Sequence, residues 1–474
     1  MIFTSFEFVL FFLFVVLVRA RLRHDAAEKW FLLVASYAFY MSWNVACGGL
    51  ILFTSMTDYI VGRKLVQVEQ PSRRKLLLVI SLILNLGVLA FFKYTNFFYD
   101  NLRLVLLPFG VQLTKTHFDI LLPAGVSFFT FQSMSYTIDV YRRKLEPATN
   151  LRNFLLFVAF FPQLLAGPIV RAADLLPQLA GRVRASALDI ETGIAYFLLG
   201  AVKKMVISDQ ISGHIDLIFA TPDRFDALTL LQGVLGYAIQ IYCDFSGYTD
   251  MAIGCARIMG FHFPQNFQMP YSSVSITEFW RRWHISLSTW LRDYLYIAMG
   301  GNRGTTAQTY ANLMVTMLLG GLWHGASWNF VIWGGLHGLA LAVNRAWREH
   351  NPLAALRSHR SLAWLGRVAS QALTLSVVLL GWVFFRAVSL TDATHYLGRL
   401  LTWTSDGTRL MSPFVLVGLA AVALVHLFVN KDFNWAEDVP KRSLLTRILA
   451  YSGLAILLAA LGSTDAAPFI YFQF

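Results

Sequence analysis

Apolar stretches recur along this chain, at Phe8–Val18, Leu76–Phe92, Val368–Phe385, Pro413–Val429 and Ile448–Leu461. Several reach the length of about 17–25 residues that a helix needs to cross a bilayer. Only 14% of the 474 residues are charged, against about 25% in an average soluble protein. That is too little polar surface to cover a globule, and the mean hydropathy of +0.55 agrees. A soluble enzyme, a fibrous protein and a disordered chain are therefore excluded. The fold class expected is an all-α polytopic membrane protein.

The formal net charge is +12. The basic residues cluster in short loops between apolar spans, where an excess of Lys and Arg marks the cytoplasmic side; nucleic acid is not expected as a partner. Cys47, Cys243 and Cys255 all lie in apolar surroundings with no pairing pattern and no metal-ligand spacing, so neither a disulfide nor a zinc site is implied.

Residues Met1–Glu7 carry no basic residue, and the first apolar run ends in Arg19, Arg21, Arg23 and Lys29. A secretory signal has the opposite polarity, so this span is expected to stay in the membrane with its amino terminus outside. Trp30–Cys47 then returns outward and Ile51–Val61 inward, to a loop with Arg63, Lys64, Arg73, Arg74 and Lys75. Leu76–Phe92 goes out, and Leu121–Tyr141 comes back to Arg142, Arg143 and Lys144. Lys441, Arg442 and Arg447 precede the final span, which puts the tail 462–474 outside as well. The alternation predicts about 11–12 crossings, with both termini outside.

Between residues 159 and 345 the regularity fails. Phe161-Pro162, Gly167-Pro168, Lys203-Lys204, Phe263-Pro264 and Gly300-Gly301-Asn302-Arg303 interrupt the apolar segments. Irregular backbone persists at membrane depth only where it is buried in protein or lines a wet cavity. The organisation expected is one integral domain over residues 1–474, with an irregular functional core at about 159–345.

Polar residues inside apolar spans are costly, and by default they mark function. Asp244, Ser246, Tyr248 and Asp250 fall in one such run; the two carboxylates, six residues apart, do not share a helical face. They are expected to cap a helix break at Ser246-Gly247, holding Arg or backbone partners, or else to bind substrate. Ser275–Arg303 sets Trp280, Trp283 and Trp290 among Arg281, Arg282, His284 and Arg292. An interfacial amphipathic helix with an aromatic belt accounts for most of that pattern. The same guanidinium groups also suit the phosphates of a nucleotide-containing donor. Gly321–Gly325 and Gly334–Gly338 are small-residue pairs that let helices approach closely, and each encloses a histidine, His324 or His337. His337 reads as a packing residue. Gly325, Ser327 and Asn329 beside His324 admit backbone and water, and a neutral imidazole is the usual base for activating a hydroxyl.

The strings Y-C-D-F-S-G-Y-T-D-M-A-I-G, N-F-Q-M-P-Y, F-W-R-R-W-H-I-S-L-S-T-W-L-R-D-Y-L-Y and G-G-L-W-H-G-A-S-W closely resemble the bacterial branch of the membrane-bound O-acyltransferase family. The resemblance covers nearly the whole chain. It implies a helical ring around a pinched central cavity, with His324 as catalytic base and His284 as a supporting catalytic residue. It also implies acetyl-CoA as acyl donor, with Arg281, Arg282 and Trp283 as candidate donor-binding residues. No metal and no permanently bound cofactor are expected. The acceptor implied is an exported polysaccharide, alginate-like or cellulose-like, reached through a periplasmic SGNH-hydrolase-like acetyltransferase and export machinery. A lipid or protein acceptor, or a transporter of an acyl or glycan species, are the alternatives.

The chain ends Phe469-Ile470-Tyr471-Phe472-Gln473-Phe474. Aromatic side chains favour the membrane interface, so a belt anchoring the last helix is one reading. In the other the tail folds back into the outer cavity. By the resemblance to envelope-acylating systems, Tyr471 is then an acyl carrier, with His324 near enough to activate its phenol.

Overall fold

The computed structural model describes residues 1–350, 360–429, 433–463 and 469–470. Its elements are helical throughout, and no strand occurs among the described residues; the one β-like pairing is an isolated bridge between Phe225 and Thr408. Among the described residues, four helical stretches are long and apolar enough to cross a membrane: Val45–Gln67, Pro71–Phe109, Trp364–Arg386 and Leu444–Leu461. Other apolar stretches of the sequence form shorter helices, such as Phe6–Arg21 with 16 residues and Asp25–Met41 with 17. Backbone contacts group the chain into two compact units, 1–197 with 249–264, and 198–248 with 265–474.

The first unit starts its helices on polar caps, where Ser5 accepts from the Phe8 amide and Asn44 from that of Ala46. Such side chains satisfy donors that the first helical turn leaves open. Within the unit, Asp58 on Val45–Gln67 is fully buried and accepts hydrogen bonds from Ser81, Asn85, Ser133 and Thr137 at 2.5, 2.8, 2.5 and 3.1 Å. Glu28 bridges Arg19 at 2.7 Å and Arg182 at 3.1 Å, while Arg19 also donates to the carbonyls of Val183 and Met259. Buried charge in this unit is thus paired or multiply hydrogen-bonded, as its desolvation requires.

The second unit carries the histidines. Thr306–His324 and Trp328–His350 form an antiparallel pair, and a side chain on Gly321 would fall on the Phe330 carbonyl. The close approach read from the small-residue spacing is therefore present. Helix Ala227–Ile258, in contrast, runs on through Ser246-Gly247, where a break was expected. Gly247 serves a different purpose: a Cβ there would strike the Gly200 carbonyl, so the bare backbone lets this helix lie against 200–204.

Ser275–Arg303 is not one amphipathic helix either. It divides into Ile276–Arg282, Ile285–Trp290 and a π-helical turn Leu291–Tyr296. Trp280, Trp283 and Trp290 all point into protein rather than forming an exposed belt. Once the helix breaks at Trp283-His284, its two halves no longer share a single polar face.

Candidate active site

The break that ends Ile276–Arg282 sets His284 in place. This residue adopts φ +43°, the left-handed region that a side chain other than glycine seldom occupies, and it caps the next helix. Asn266 braces the turn. Its carbonyl oxygen accepts from the Ile285 amide at 2.9 Å, and its Oδ1 accepts from the Ser286 amide and hydroxyl at 3.1 and 2.9 Å. The His284 Nδ1 lies 3.2 Å from the same Oδ1. With Oδ1 as acceptor, the proton is assigned to Nδ1 and Nε2 becomes the basic nitrogen.

His324 ends Thr306–His324 and is 2% exposed. Trp323, Trp333 and Phe385 surround it edge-on, at ring-centroid distances of 5.1, 4.9 and 5.3 Å. The two histidine rings, 40 positions apart in sequence, come within 6.4 Å of each other. His337 is instead packed among Trp333 and Trp280 at 4.8 and 5.1 Å, with neither ring nitrogen hydrogen-bonded among the described residues. That environment suits packing rather than proton transfer.

Phe469 and Ile470 reach the same neighbourhood. Phe469 packs on Tyr248 at 4.7 Å and on Phe245 at 5.6 Å, and Phe245 meets His284 edge-on at 4.7 Å. The Ile470 amide donates to Asp244 at 2.8 Å. Phe469 and Ile470 are buried, as in the fold-back arrangement of the tail and unlike an exposed belt. Tyr471, the candidate carrier, lies outside the described residues.

A cavity of about 560 Å³ opens beside this cluster. Arg281, Arg292, Arg345 and Arg348 line it against Glu349, with Trp280, Thr316 and Met317 on its wall. Arg292 also pairs with Asp293 at 2.7 Å and Arg345 with Glu349 at 2.9 Å. From the cavity, Trp280 contacts Trp333 at 5.6 Å, and Trp333 contacts His324. An aromatic wall thus separates a cationic pocket from the histidines. Arg282 faces elsewhere, paired with Glu278 at 3.0 Å and donating to the Gln268 carbonyl at 3.2 Å. Trp283 is buried against Phe267 and Trp382, at 5.0 and 4.9 Å.

Among the candidate residues, His284, His324 and Arg281 belong to this region, whereas Arg282 and Trp283 do not line the cavity. Arg345 and Arg348, which line the cavity, escaped the sequence reading, as did Lys204, which lies 2.6 Å from Asp244, the acceptor of the Ile470 amide. A lysine inside the apolar run Y-F-L-L-G-A-V-K-K-M-V-I-S was signal enough for Lys204.

The sequence pattern of the membrane-bound O-acyltransferase family, MBOAT, matches residues 77–385. A probable alginate O-acetylase, AlgI, of Azotobacter vinelandii is 39% identical, covering 100% of both chains. The probable alginate O-acetylase AlgI of Pseudomonas aeruginosa is 41% identical over 99% of this chain and 88% of its own. A peptidoglycan O-acetyltransferase of Helicobacter pylori is 36% identical over 87% of this chain and 78% of its own.

Proposed function

Because the chain belongs to the membrane-bound O-acyltransferase family, and so is a membrane acyltransferase, we propose that it passes acetyl groups from acetyl-CoA toward O-acetylation of an exported polysaccharide. The observation that carries this reading is the succession Phe469, Phe245, His284, His324, in which a buried tail leads to a paired histidine centre. Two kinds of glycan in the relatives' names, alginate and peptidoglycan, support a polymeric acceptor. The arginines of the cavity supply the forked donors that coenzyme A phosphates require. The acetyl thioester would then have to pass the wall of Trp280 and Trp333 to reach His324.

His324 acts as general base in this scheme, with His284 beside it as supporting residue. His324 removes the phenol proton of Tyr471 as the phenolate oxygen adds to the thioester carbonyl. The tetrahedral adduct collapses, the C–S bond breaks, and the departing coenzyme A thiolate takes the proton back from the imidazolium. What remains is an acetyl ester on Tyr471. A phenol with an unperturbed pKa of about 10 is a better leaving group than a sugar hydroxyl, so the ester stays activated for onward transfer. A periplasmic SGNH-hydrolase-like acetyltransferase then takes the acetyl group, regenerating the phenol. Acetyl-CoA binds from the cytoplasm, and both termini of this inner-membrane protein face the periplasm. No resident cofactor or metal takes part, because a thioester needs only a base and an oxygen nucleophile.

Tyr471→Phe tests the carrier step, since it keeps the aromatic ring and removes only the hydroxyl. Polymer acetylation should fall to background in cells carrying this variant. Normal acetylation would end the carrier role and leave the tail as an anchor.

A further inference from the structure

The buried charges nearest the tail are not part of the chemistry above. A π-helical turn, Val202–Ser208, presents Lys204 to two carboxylates, Asp209 at 2.8 Å and Asp244 at 2.6 Å. All three side chains are almost wholly withdrawn from solvent. One ammonium between two carboxylates leaves an excess of negative charge, and buried charge is costly unless further donors meet it. The second oxygen of Asp244 has such a donor: the backbone N–H of Ile470.

The same turn also holds the tail's starting point. The Ser463 amide donates to the Met205 carbonyl at 3.0 Å, and Gln210 donates to the Leu461 carbonyl at 2.7 Å. Residues on both sides of the stretch 464–468 are therefore tied to elements packed around Lys204.

We propose that Asp244, oriented by Lys204, is a positioning residue that clasps the Ile470 backbone and so fixes the residue following it, Tyr471, for reaction near the His284–His324 pair. This inference rests on the carrier reading of the tail. The clasp works through the backbone, which makes it indifferent to the side chain at position 470. It is also reciprocal, because withdrawing the tail leaves an Asp244 oxygen buried without that donor. A charge-assisted hydrogen bond to one peptide N–H is selective about register.

The test uses full-length protein in detergent and reads two quantities. Acetylation of the carboxy-terminal peptide after incubation with acetyl-CoA is measured by mass spectrometry. Carboxypeptidase Y trimming is followed by intact mass. Ile470→Pro removes the N–H but keeps the side chains of Lys204, Asp209 and Asp244 in place, whereas Ile470→Ala keeps the N–H and shortens the side chain. Ile470→Pro should slow tail acetylation roughly ten- to hundredfold, the worth of one hydrogen bond to a charged group, and let trimming pass position 470. Ile470→Ala should remain within about threefold of wild type, and Asp244→Asn, which retains a carbonyl acceptor, should fall between Asp244→Ala and wild type. Equal effects of Ile470→Pro and Ile470→Ala on both readouts would overturn the clasp in favour of simple packing. A wild-type tail that carries no acetyl would instead overturn the carrier reading, and the positioning role with it; the trimming arm still reports whether the backbone clasp exists.

Discussion

The rings of His284 and His324 lie 6.4 Å apart, one at a helix break and the other at a helix end. Neither position is an accident of packing. His284 is held in the left-handed region by Asn266 and the turn it braces, and His324 is walled by Trp323, Trp333 and Phe385. The two rings are thereby held in one relative geometry, and preorganisation of this kind is what proton transfer in a dry site depends on.

His324→Ala should lower acetyl transfer by roughly two to four orders of magnitude, the range for loss of a general base, while the protein still folds. His337→Ala should behave in the opposite way. It empties a space between Trp280 and Trp333, so it should cost roughly 2–4 kcal/mol of stability and reduce turnover far less. Rates with radiolabelled acetyl-CoA and thermal unfolding in detergent separate the two. A fully active His324→Ala enzyme would refute the assignment.

Asn266→Ala removes the acceptor of three hydrogen bonds, including the one at His284 Nδ1. The expected result is a drop in kcat of about tenfold, for one bond of about 1–1.5 kcal/mol lost from the supporting His284, with KM for acetyl-CoA unchanged. Steady-state kinetics with varied donor provides the check. A change confined to KM would place Asn266 in donor binding instead.

Arg281 and Arg282 are neighbours with different surroundings. Arg281 lines the cationic cavity, whereas Arg282 is committed to Glu278 and Gln268. Arg281→Ala and Arg345→Ala should therefore raise KM for acetyl-CoA several-fold, more strongly at low salt because screening weakens phosphate contacts. Arg282→Ala should leave donor KM near wild type and cost about 1 kcal/mol of stability, the value of a part-buried ion pair with one added hydrogen bond. Equal KM effects at 281 and 282 would contradict this division.

That pair also marks where the sequence stopped being readable. The motif strings contained both histidines, where glycine, proline and polar residues inside apolar runs announce irregular buried backbone, and the tail stood out separately by its run of aromatic residues. Which of two adjacent arginines faces a cavity depends on helix phase, and Glu278, four residues before Arg282, was the available clue. The tryptophans misled for a related reason: a Trp-rich segment looks interfacial as a continuous helix and becomes internal once the helix breaks at His284. The expected break at Ser246-Gly247 failed because glycine there serves close approach to Gly200 rather than a turn. Lys204 and Asp244, 40 positions apart, meet only through tertiary packing, and no local pattern announces the pair.

Asp58 supplies the last prediction, and it concerns stability alone. Its carboxylate is buried in the first unit and takes four hydrogen bonds, from Ser81, Asn85, Ser133 and Thr137. Those donors come from two helices, Pro71–Leu89 and Val126–Tyr141, each supplying two, and Asp58 itself sits on a third, Val45–Gln67. The carboxylate thus ties three helices together where surrounding apolar contacts are not directional. Asp58→Ala strands all four donors in a dry interior and should destabilise the protein by roughly 3 kcal/mol or more, since each buried unsatisfied polar group costs about 1–3 kcal/mol. Asp58→Asn retains one acceptor oxygen and should cost less. The decisive measurement is a double-mutant cycle in detergent. Ser133→Ala should be clearly destabilising in the wild-type background and nearly neutral once Asp58 is alanine, because the hydroxyl then has no carboxylate to lose. Additive effects of the two substitutions would mean that the four-donor cluster does not act as a unit.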